Sequence, residues 1–348
     1  MKKIEVFSYS TMIYFLIRGS FLGILTHNLF FTSRGSSWIS ILLAIFFGIL
    51  PLKIFYKIME KHPDLNFFQI LEFKFKNYGK ILSYLLITFV FIFACFVFWN
   101  LLNFIGSQFL HKTPNIAIGF IIFLSLINLL NKGINVISRV SVILFFTSLT
   151  LYVLCFFGLF FQIKPILLLP IFSDSLFNIG LGSLNFLVYS ILPIFFLGIV
   201  PFNRINNKKE IVKKSFIIYL ISTVTLFFVI FLVLGIYGIE FSQLLQYTEY
   251  HILKRFSIVG TIDRTENIFA LQWIIDIYMF LVISIYYVGE KIKIKSKYKY
   301  TIICFLMLLI STKTLINSTV INSFLVNYFP FIILLFLFIL PLFIYKKN

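Results

Sequence analysis

Charged residues are scarce in this sequence. Only 12% of the 348 residues are Asp, Glu, Lys or Arg, whereas 60% are hydrophobic. Soluble chains carry roughly 25% charged residues, so this composition excludes a soluble enzyme. Disorder is excluded as well, because it requires low hydrophobicity. The formal net charge of +18 does not indicate a nucleic-acid partner, since the basic residues lie in short loops between long apolar runs.

Motifs for metal binding and catalysis are also missing. The three cysteines, Cys95, Cys155 and Cys304, each lie inside an apolar run, and no pair has CxxC spacing. Neither a disulfide framework nor a zinc site is therefore predicted. The sequence contains no GxxxxGK[ST], no HExxH and no GxSxG. We predict that the protein is not an enzyme and uses no cofactor or metal.

The apolar runs have the length of membrane-spanning helices. A span needs about 20 mostly apolar residues to cross a hydrocarbon core of about 30 Å. Ten stretches meet this requirement. They cover residues 7–31, 37–58, 80–109, 115–131, 136–161, 181–201, 215–239, 267–288, 300–318 and 323–345. The sequence predicts an all-α integral membrane protein with ten transmembrane helices, spans 1 to 10, in one membrane domain covering residues 1–348.

The distribution of basic residues predicts the orientation. With ten spans, 22 of the 30 Lys and Arg residues fall on the side that holds both termini, and seven fall on the opposite side. Cytoplasmic loops carry the excess of Lys and Arg in membrane proteins. We therefore predict a multi-pass protein with both termini in the cytoplasm.

The ten spans divide into two halves of five, residues 7–161 and 181–345. An odd number of spans per half places the halves in opposite orientations, which is an inverted repeat. The first span of each half carries helix-breaking residues: Gly19 and Gly23 in span 1, and Gly182 with Pro193 in span 6. We predict that helices 1 and 6 are discontinuous. The alternative is that these glycines only allow close packing of neighbouring helices.

A broken helix in a membrane presents free backbone groups to a cavity. We predict a ligand-binding site at the membrane midplane between spans 1 and 6. Its predicted lining is Gly19, Ser20, Gly23, Ser183 and Asn185. Half-helix N-termini there would offer N–H groups and a partial positive charge to a carboxylate.

Two ionisable residues lie deep within predicted spans. Arg18 is eleven residues from the inner end of span 1 and Asp276 is twelve from the inner end of span 8, or about 16 and about 18 Å of helix. Their equal depth and opposite charge predict an ion pair, because an unpaired buried charge is costly. The alternatives are a contact to ligand or ion, and no contact between the two.

Several stretches together resemble a known family. They are GINVISRV at 133–140, LLPIFSD at 168–174, IDRTE at 262–266 and LQWII at 271–275, with the start at 2–4 and Gly19 in span 1. Over nearly its whole length the chain resembles the B subunits of spore germinant receptors, the GerAB-type endospore germination permeases. That family is similar to the amino acid–polyamine–organocation transporters, so the resemblance implies a LeuT-type 5+5 inverted repeat.

The resemblance also implies a function. It indicates a subunit of the inner spore membrane that works beside an A and a C subunit, binds a small germinant such as an amino acid and triggers germination. In LeuT-type folds spans 1 and 8 are neighbours, and sodium-coupled members hold Na⁺ between them. Arg18 beside Asp276 would place a fixed cation there. The alternative function is a stand-alone secondary amino-acid transporter, since both activities need binding that biases two states.

The segment just before span 8 carries three charged residues, Asp263, Arg264 and Glu266. One hypothesis is that they cap the outer end of span 8 by charge pairing, which contributes only about 0–1 kcal/mol at an exposed site. The other is an outer gate or a subunit contact, which the resemblance favours.

Overall fold

The computed structural model of the protein describes residues 3–172, 174–255, 265–292, 298–315 and 318–346. Within these ranges the regular structure is helical, apart from one isolated bridge between Ile4 and Ile205. The α-helices are α1 (Val6–Arg18), α2 (Thr26–Thr32), α3 (Ser37–Phe47), α4 (Ile49–Lys61), α5 (Phe67–Phe75), α6 (Asn77–Gln108), α7 (Asn115–Asn131), α8 (Ile134–Phe160), α9 (Leu176–Phe186), α10 (Lys208–Leu244), α11 (Thr248–His251), α12 (Thr265–Lys291), α13 (Lys299–Leu309), α14 (Ser318–Asn327), α15 (Phe329–Leu334) and α16 (Leu340–Lys346).

Eight helical segments of these described ranges are long and apolar enough to cross a membrane. They are Val6–Thr32, Arg34–Lys61, Asn77–Gln108, Ile134–Phe160, Leu176–Ile199, Lys208–Leu244, Glu266–Lys291 and Phe329–Lys346. A ninth results if Lys299–Thr314 and Ser318–Asn327 are counted as one broken span. The apolar helix α7 has 17 residues and occupies the position of predicted span 4. Apolar helices thus occur at all ten predicted positions.

The C-terminal boundaries differ from the sequence prediction. Residues 323–327, predicted to open span 10, belong to helix α14, which is bent by 111° from the preceding helical segment. The last span begins at Phe329 instead, with Pro330 in its first turn. Proline is favoured there because its missing N–H is one that the helix start leaves unpaired anyway. Hydropathy alone does not detect this boundary, since both segments are apolar.

Helix α1 lies at the centre of the bundle. It packs against α8, α10 and α12, and every residue of it except Phe7 is buried. Other helices expose large apolar side chains outward, among them Phe46, Ile121 and Phe157. Contiguous exposed apolar surface of this kind is typical of a membrane contact, so the bundle has a lipid-facing exterior around a closed centre.

Loops that were predicted to share a side of the membrane lie at the same end of the bundle. At the predicted inner end, Ile4 N donates to Arg204 O at 2.8 Å, and Lys291 forms an ion pair with Glu72. At the opposite end, Gln162 donates to the carbonyl of Arg255 at 2.8 Å. These contacts agree with the alternation of loops on which the predicted orientation rests.

Candidate functional site

The helix of span 1 is interrupted near its middle. Helix α1 ends at Arg18, and the backbone leaves the helical conformation at Leu22 (ψ 122°) and Gly23 (φ 72°, ψ −43°). The chain becomes α-helical again at Thr26. A positive φ is accessible to glycine without steric penalty, so Gly23 is the residue that permits the break. The break frees backbone hydrogen-bonding groups that must find partners inside the bundle.

The freed groups are bound by two buried side chains from other elements. Asn100 Nδ2 donates to the carbonyl of Leu22 at 2.6 Å. Glu249 Oε1 accepts from the N–H of Gly23 at 2.6 Å and from Thr26 Oγ1 at 2.9 Å. The polar interior expected at a broken helix is therefore present, and protein side chains line it.

Glu249 lies on the short helix α11, between α10 and α12, and is fully buried. Burial raises the pKa of its carboxyl group from the ordinary 4.5 to about 7, although the hydrogen bonds from Gly23 and Thr26 act in the opposite direction. Sequence reasoning missed this residue. Its position in a loop resembles that of any solvated acid, and the sequence signal that could have indicated its burial is the pair of tyrosines at 247 and 250.

Tyr247 lies between the break and a polar cavity. Its hydroxyl is 3.4 Å from Asn100 Oδ1, and a Cβ placed on Gly23 would lie 2.6 Å from its Cε1. The cavity has a volume of about 390 Å³ and reaches the protein surface. Its lining is Asn103, Gly106, Ser107, His111, Thr113, Asn115, Gln246, Tyr247 and Ser318. We call it the outer cavity, because these residues lie at the predicted outer ends of their helices.

Of the two residues predicted to break span 6, Pro193 lies in an irregular stretch and Gly182 does not. Gly182 lies inside the regular helix α9, and the irregular part begins at Leu187–Ile191 with wide helical turns and continues as a tight helix over Leu192–Ile199. Pro193 is the physical cause, because it has no N–H to offer to the carbonyl of Tyr189 four residues earlier. Ser20 Oγ donates to that carbonyl instead, at 2.6 Å.

The structure thus places only some of the predicted ligand-binding residues at the junction of spans 1 and 6. Ser20 and Gly23 lie where span 1 meets span 6, but the Ser20 hydroxyl is engaged by Tyr189. Gly19 faces helix α12, since a Cβ on Gly19 would collide with the side chain of Phe280 on that helix. Ser183 and Asn185 are buried on α9, the helix that packs against α2 and α3.

Arg18 and Asp276 lie together in the centre of the bundle. Arg18 Nε is 2.7 Å from Asp276 Oδ2, and both side chains are inaccessible to solvent. Arg18 Nη1 donates to Thr225 Oγ1 at 2.6 Å. Ser148 donates to Asp276 Oδ1 at 2.7 Å and is itself 3.1 Å from the Tyr14 hydroxyl. The ion pair therefore links α1, α8, α10 and α12.

Aromatic rings surround the guanidinium group. The Arg18 Cζ atom lies 4.9 Å from the ring centre of Tyr14 and 5.5 Å from that of Tyr152. Arg18 Nη2 is buried and has no hydrogen-bond partner within the described part of the chain. Cation–π contacts stabilise a desolvated guanidinium by about 2 kcal/mol. The surroundings therefore fit a permanently charged arginine in the interior.

Hydroxyl groups continue from this pair towards the predicted inner side. Thr11 Oγ1 is 2.8 Å from Ser141 Oγ. Thr11 lies about one helical turn from Tyr14, and Ser141 about two turns from Ser148, on the predicted inner side of the Tyr14–Ser148 contact. A second cavity, of about 430 Å³, opens below them and is lined by Lys3, Ser8 and Arg139 among others. Hydroxyl groups of spans 1 and 5 therefore lie between this inner cavity and Asp276, beside aromatic contacts such as that of Tyr14 with Phe145.

Two of the three predicted gate residues, Asp263 and Arg264, lie outside the described residues. Glu266 lies in the first turn of α12 and is partly buried. Burial raises the pKa of the Tyr250 hydroxyl, and the charge of Glu266 raises it further. The Tyr250 hydroxyl lies 3.2 Å from Oδ1 of Asn267, the residue after Glu266, so the start of α12 lies close to the α11 segment that carries Glu249.

Fold and site together define a class of protein: a multi-pass α-helical membrane protein with the LeuT-type transporter architecture. The fold resembles that of a Na⁺-coupled sialic acid symporter in its substrate-bound, outward-open state. The TM-score is 0.65 at 14% sequence identity, covering 96% of this chain and 79% of the other. The predicted fold class is confirmed.

The family follows from the sequence comparison. The family model described as "Spore germination protein", the spore permease family, matches residues 3–323. The chain is also 22% identical over 302 residues to the putative spore germination protein YfkT of Bacillus subtilis (strain 168), covering 82% of this chain and 81% of YfkT. The chain belongs to the spore germination protein family, and the resemblance noted from its motifs is confirmed.

Proposed function

We propose that this protein is the membrane subunit of a nutrient germinant receptor. It binds a small germinant, such as an amino acid, and triggers spore germination together with an A and a C subunit. It lies in the inner spore membrane with both termini in the cytoplasm. The observation that carries the binding role is the break at Leu22 and Gly23, which brings backbone and buried polar groups together in the bundle centre.

The proposed binding site is the junction of spans 1 and 6, with Gly23 and Ser20 at its centre and Ser183 and Asn185 towards its outer end. Ser20 joins the two irregular spans directly, so a ligand that moves either span shifts the other. The proposed role of Asp263, Arg264 and Glu266 is an outer gate or subunit contact, supported by the position of Glu266 near α11.

A stand-alone secondary amino-acid transporter is the second candidate function. The observation in its favour is the pair of polar cavities at opposite ends of the bundle. They are the inner cavity, lined by Lys3, Ser8 and Arg139 among others, and the outer cavity, which Tyr247 lines. A transporter opens such cavities alternately to a central site. A receptor uses the same two states but transmits the change to its partners.

Spore germination and reconstituted transport separate the two. Spores lacking this gene are tested against single nutrients and complemented with the wild-type gene, with Gly23→Ala, or with Gly180→Ala as matched control. A Cβ on Gly180 meets nothing within 4 Å. We expect loss of the response to one nutrient class with Gly23→Ala only. Uptake of that nutrient by proteoliposomes containing this chain alone, together with normal germination of the deletion strain, would instead assign transport.

A further inference from the structure

The break in span 1 already contains a carboxyl group of the protein. The Gly23 N–H, which a ligand carboxylate would bind in a broken-helix site, donates to Glu249 Oε1 at 2.6 Å. The Thr26 hydroxyl donates to the same oxygen. Both are charge-assisted hydrogen bonds when the carboxyl group is ionised, and such bonds are short and strong. A ligand carboxylate would have to displace this buried side chain.

The other oxygen of the same carboxyl group is unused. Glu249 Oε2 is buried and has no hydrogen-bond partner among the described residues, while the whole side chain is inaccessible to solvent. Buried polar atoms in native proteins almost always have a partner. A buried acceptor that lacks one is complementary to a donor that arrives from outside, and a cationic donor gains most from a carboxylate.

Aromatic rings border the α11 segment on the side of the outer cavity. The ring centres of Phe104 and Tyr247 are 5.1 Å apart, and those of Phe104 and Tyr250 are 5.4 Å apart. Lys254 Nζ already lies 5.3 Å from the ring centre of Tyr250. Aromatic faces attract ammonium groups, so this cluster accepts a cation at its rim. Tyr247 also lines the outer cavity and is the side chain between that cavity and Gly23.

These three observations determine the chemistry of the ligand. We propose that Glu249 is the recognition carboxylate of the site and that its free oxygen binds the ammonium group of a small primary amine, which enters from the outer cavity past Tyr247. The inference rests on the proposed function for the existence of a small ligand. It reverses the expected charge of the ligand group that is bound, from a carboxylate to an ammonium group. The ligand is recognised through its cationic end, and a free carboxylate on it is not required.

Two matched probes test this polarity on the purified full-length protein in lipid nanodiscs. L-Alaninamide carries an ammonium group and no carboxylate, whereas N-acetyl-L-alanine carries a carboxylate and no ammonium group. Binding is measured by calorimetry and by the shift of the thermal unfolding midpoint. We expect alaninamide to bind and to raise the midpoint, and N-acetylalanine to do neither.

The variant Glu249→Gln removes the negative charge but keeps an oxygen that accepts the Gly23 N–H. We expect it to weaken alaninamide binding at least tenfold while its unfolding remains cooperative. Glu240→Gln, which changes an exposed carboxylate on α10, is the matched control and should bind like the wild type. In Glu249→Ala the Gly23 N–H is free, so acetate should raise its unfolding midpoint but leave the wild-type midpoint unchanged.

Three results would overturn the proposal: no binding of alaninamide to the wild type, tighter binding of N-acetylalanine than of alaninamide, or unchanged alaninamide binding by Glu249→Gln. The last would assign Glu249 to a structural plug only. Because these assays need neither spores nor partner subunits, they are independent of the receptor assignment. Alaninamide binding that depends on Glu249, in a protein whose deletion leaves germination normal, would refute the receptor role and leave the amine site standing.

Discussion

Removing the Arg18–Asp276 ion pair in two steps tests whether the pair holds the bundle centre together. Arg18→Met deletes the guanidinium and keeps an unbranched apolar chain of similar length. Asp276→Asn keeps the size of the side chain and an oxygen for the Ser148 donor. Each single variant leaves one charge with no counter-charge inside a bundle where both side chains are inaccessible to solvent. The double variant leaves neither charge.

Two substitutions usually destabilise a protein more than one, but the free-energy cost of an unpaired buried charge predicts the opposite order for this pair. Leaving one partner of a buried ion pair unpaired costs about 3–5 kcal/mol. The double variant leaves no unpaired charge. It loses the cation–π contacts of Arg18 and hydrogen bonds, including the one from Arg18 to Thr225, at about 0.5–1.5 kcal/mol for each hydrogen bond. We therefore expect the double variant to be more stable than either single variant, with a coupling energy of about 3 kcal/mol or more.

Thermal unfolding of the purified variants in detergent, followed by circular dichroism, measures the order. The exposed pair Glu210–Lys214, at 2.8 Å, supplies the matched control. Removing either of its members should change stability by only about 0–1 kcal/mol. If the losses from Arg18→Met and Asp276→Asn add up in the double variant, the two residues do not stabilise each other. If Arg18→Met instead lowers ligand response while its stability is unchanged, Arg18 contacts ligand.

Three further outcomes follow from the break in span 1. Gly23→Ala should destabilise the protein by more than the roughly 1–2 kcal/mol that an L-residue costs in the left-handed helical region, because the added Cβ would also lie 2.6 Å from Tyr247 Cε1. Gly180→Ala should be neutral or stabilising by up to about 1 kcal/mol, and equal unfolding midpoints would contradict this. Ser20→Ala should cost about 1–3 kcal/mol by leaving the Tyr189 carbonyl unpaired, and less in a Pro193→Ala background, where residue 193 regains an N–H; an unchanged loss in that background would exclude this role for Ser20. The pKa of Glu249 is raised to about 7, so the folded state keeps a proton that the unfolded state loses, and stability should fall by about 3 kcal/mol from pH 4.5 to 7. In Glu249→Gln the unfolding midpoint should fall less between pH 4.5 and 7 than it does in the wild type. If the midpoint of the variant falls by the same amount, other groups, such as the neighbouring His251, cause the pH dependence.

The predictable parts of the site are those where an unpaired charge, a strained backbone or an unpaired backbone group would cost much free energy inside the membrane. A buried arginine needs a counter-charge, and helical rise places Asp276 at the same depth. A glycine is needed where the backbone of span 1 takes a positive φ, and Gly23 is where the structure has it. The long apolar runs likewise predict the helices, because a single run of about 20 apolar residues can satisfy all its backbone hydrogen bonds within itself only as a helix.

The parts that could not be predicted depend on how a loop folds back into the bundle. Glu249 lies between spans, in a segment without a 20-residue apolar run, so hydropathy treats it as exposed. Its burial results from Tyr247 and Tyr250 packing against Phe104, a contact between residues about 145 positions apart in sequence. In span 6 only the proline acts as predicted, because Gly182 lies inside a regular helix. The missing N–H of Pro193 acts four residues upstream, at Tyr189.

The two acidic residues that are buried in the described part of the chain, Glu249 and Asp276, differ in their hydrogen bonds. Asp276 has both oxygens hydrogen-bonded, one to Arg18 and one to Ser148, so its charge is already paired inside the protein. Glu249 has one oxygen satisfied and one unpaired among the described residues, and it sits on a four-residue helix rather than on a long span. The Arg18–Asp276 pair therefore holds α1 and α12 together, whereas the proposed ligand contact at Glu249 lies on α11.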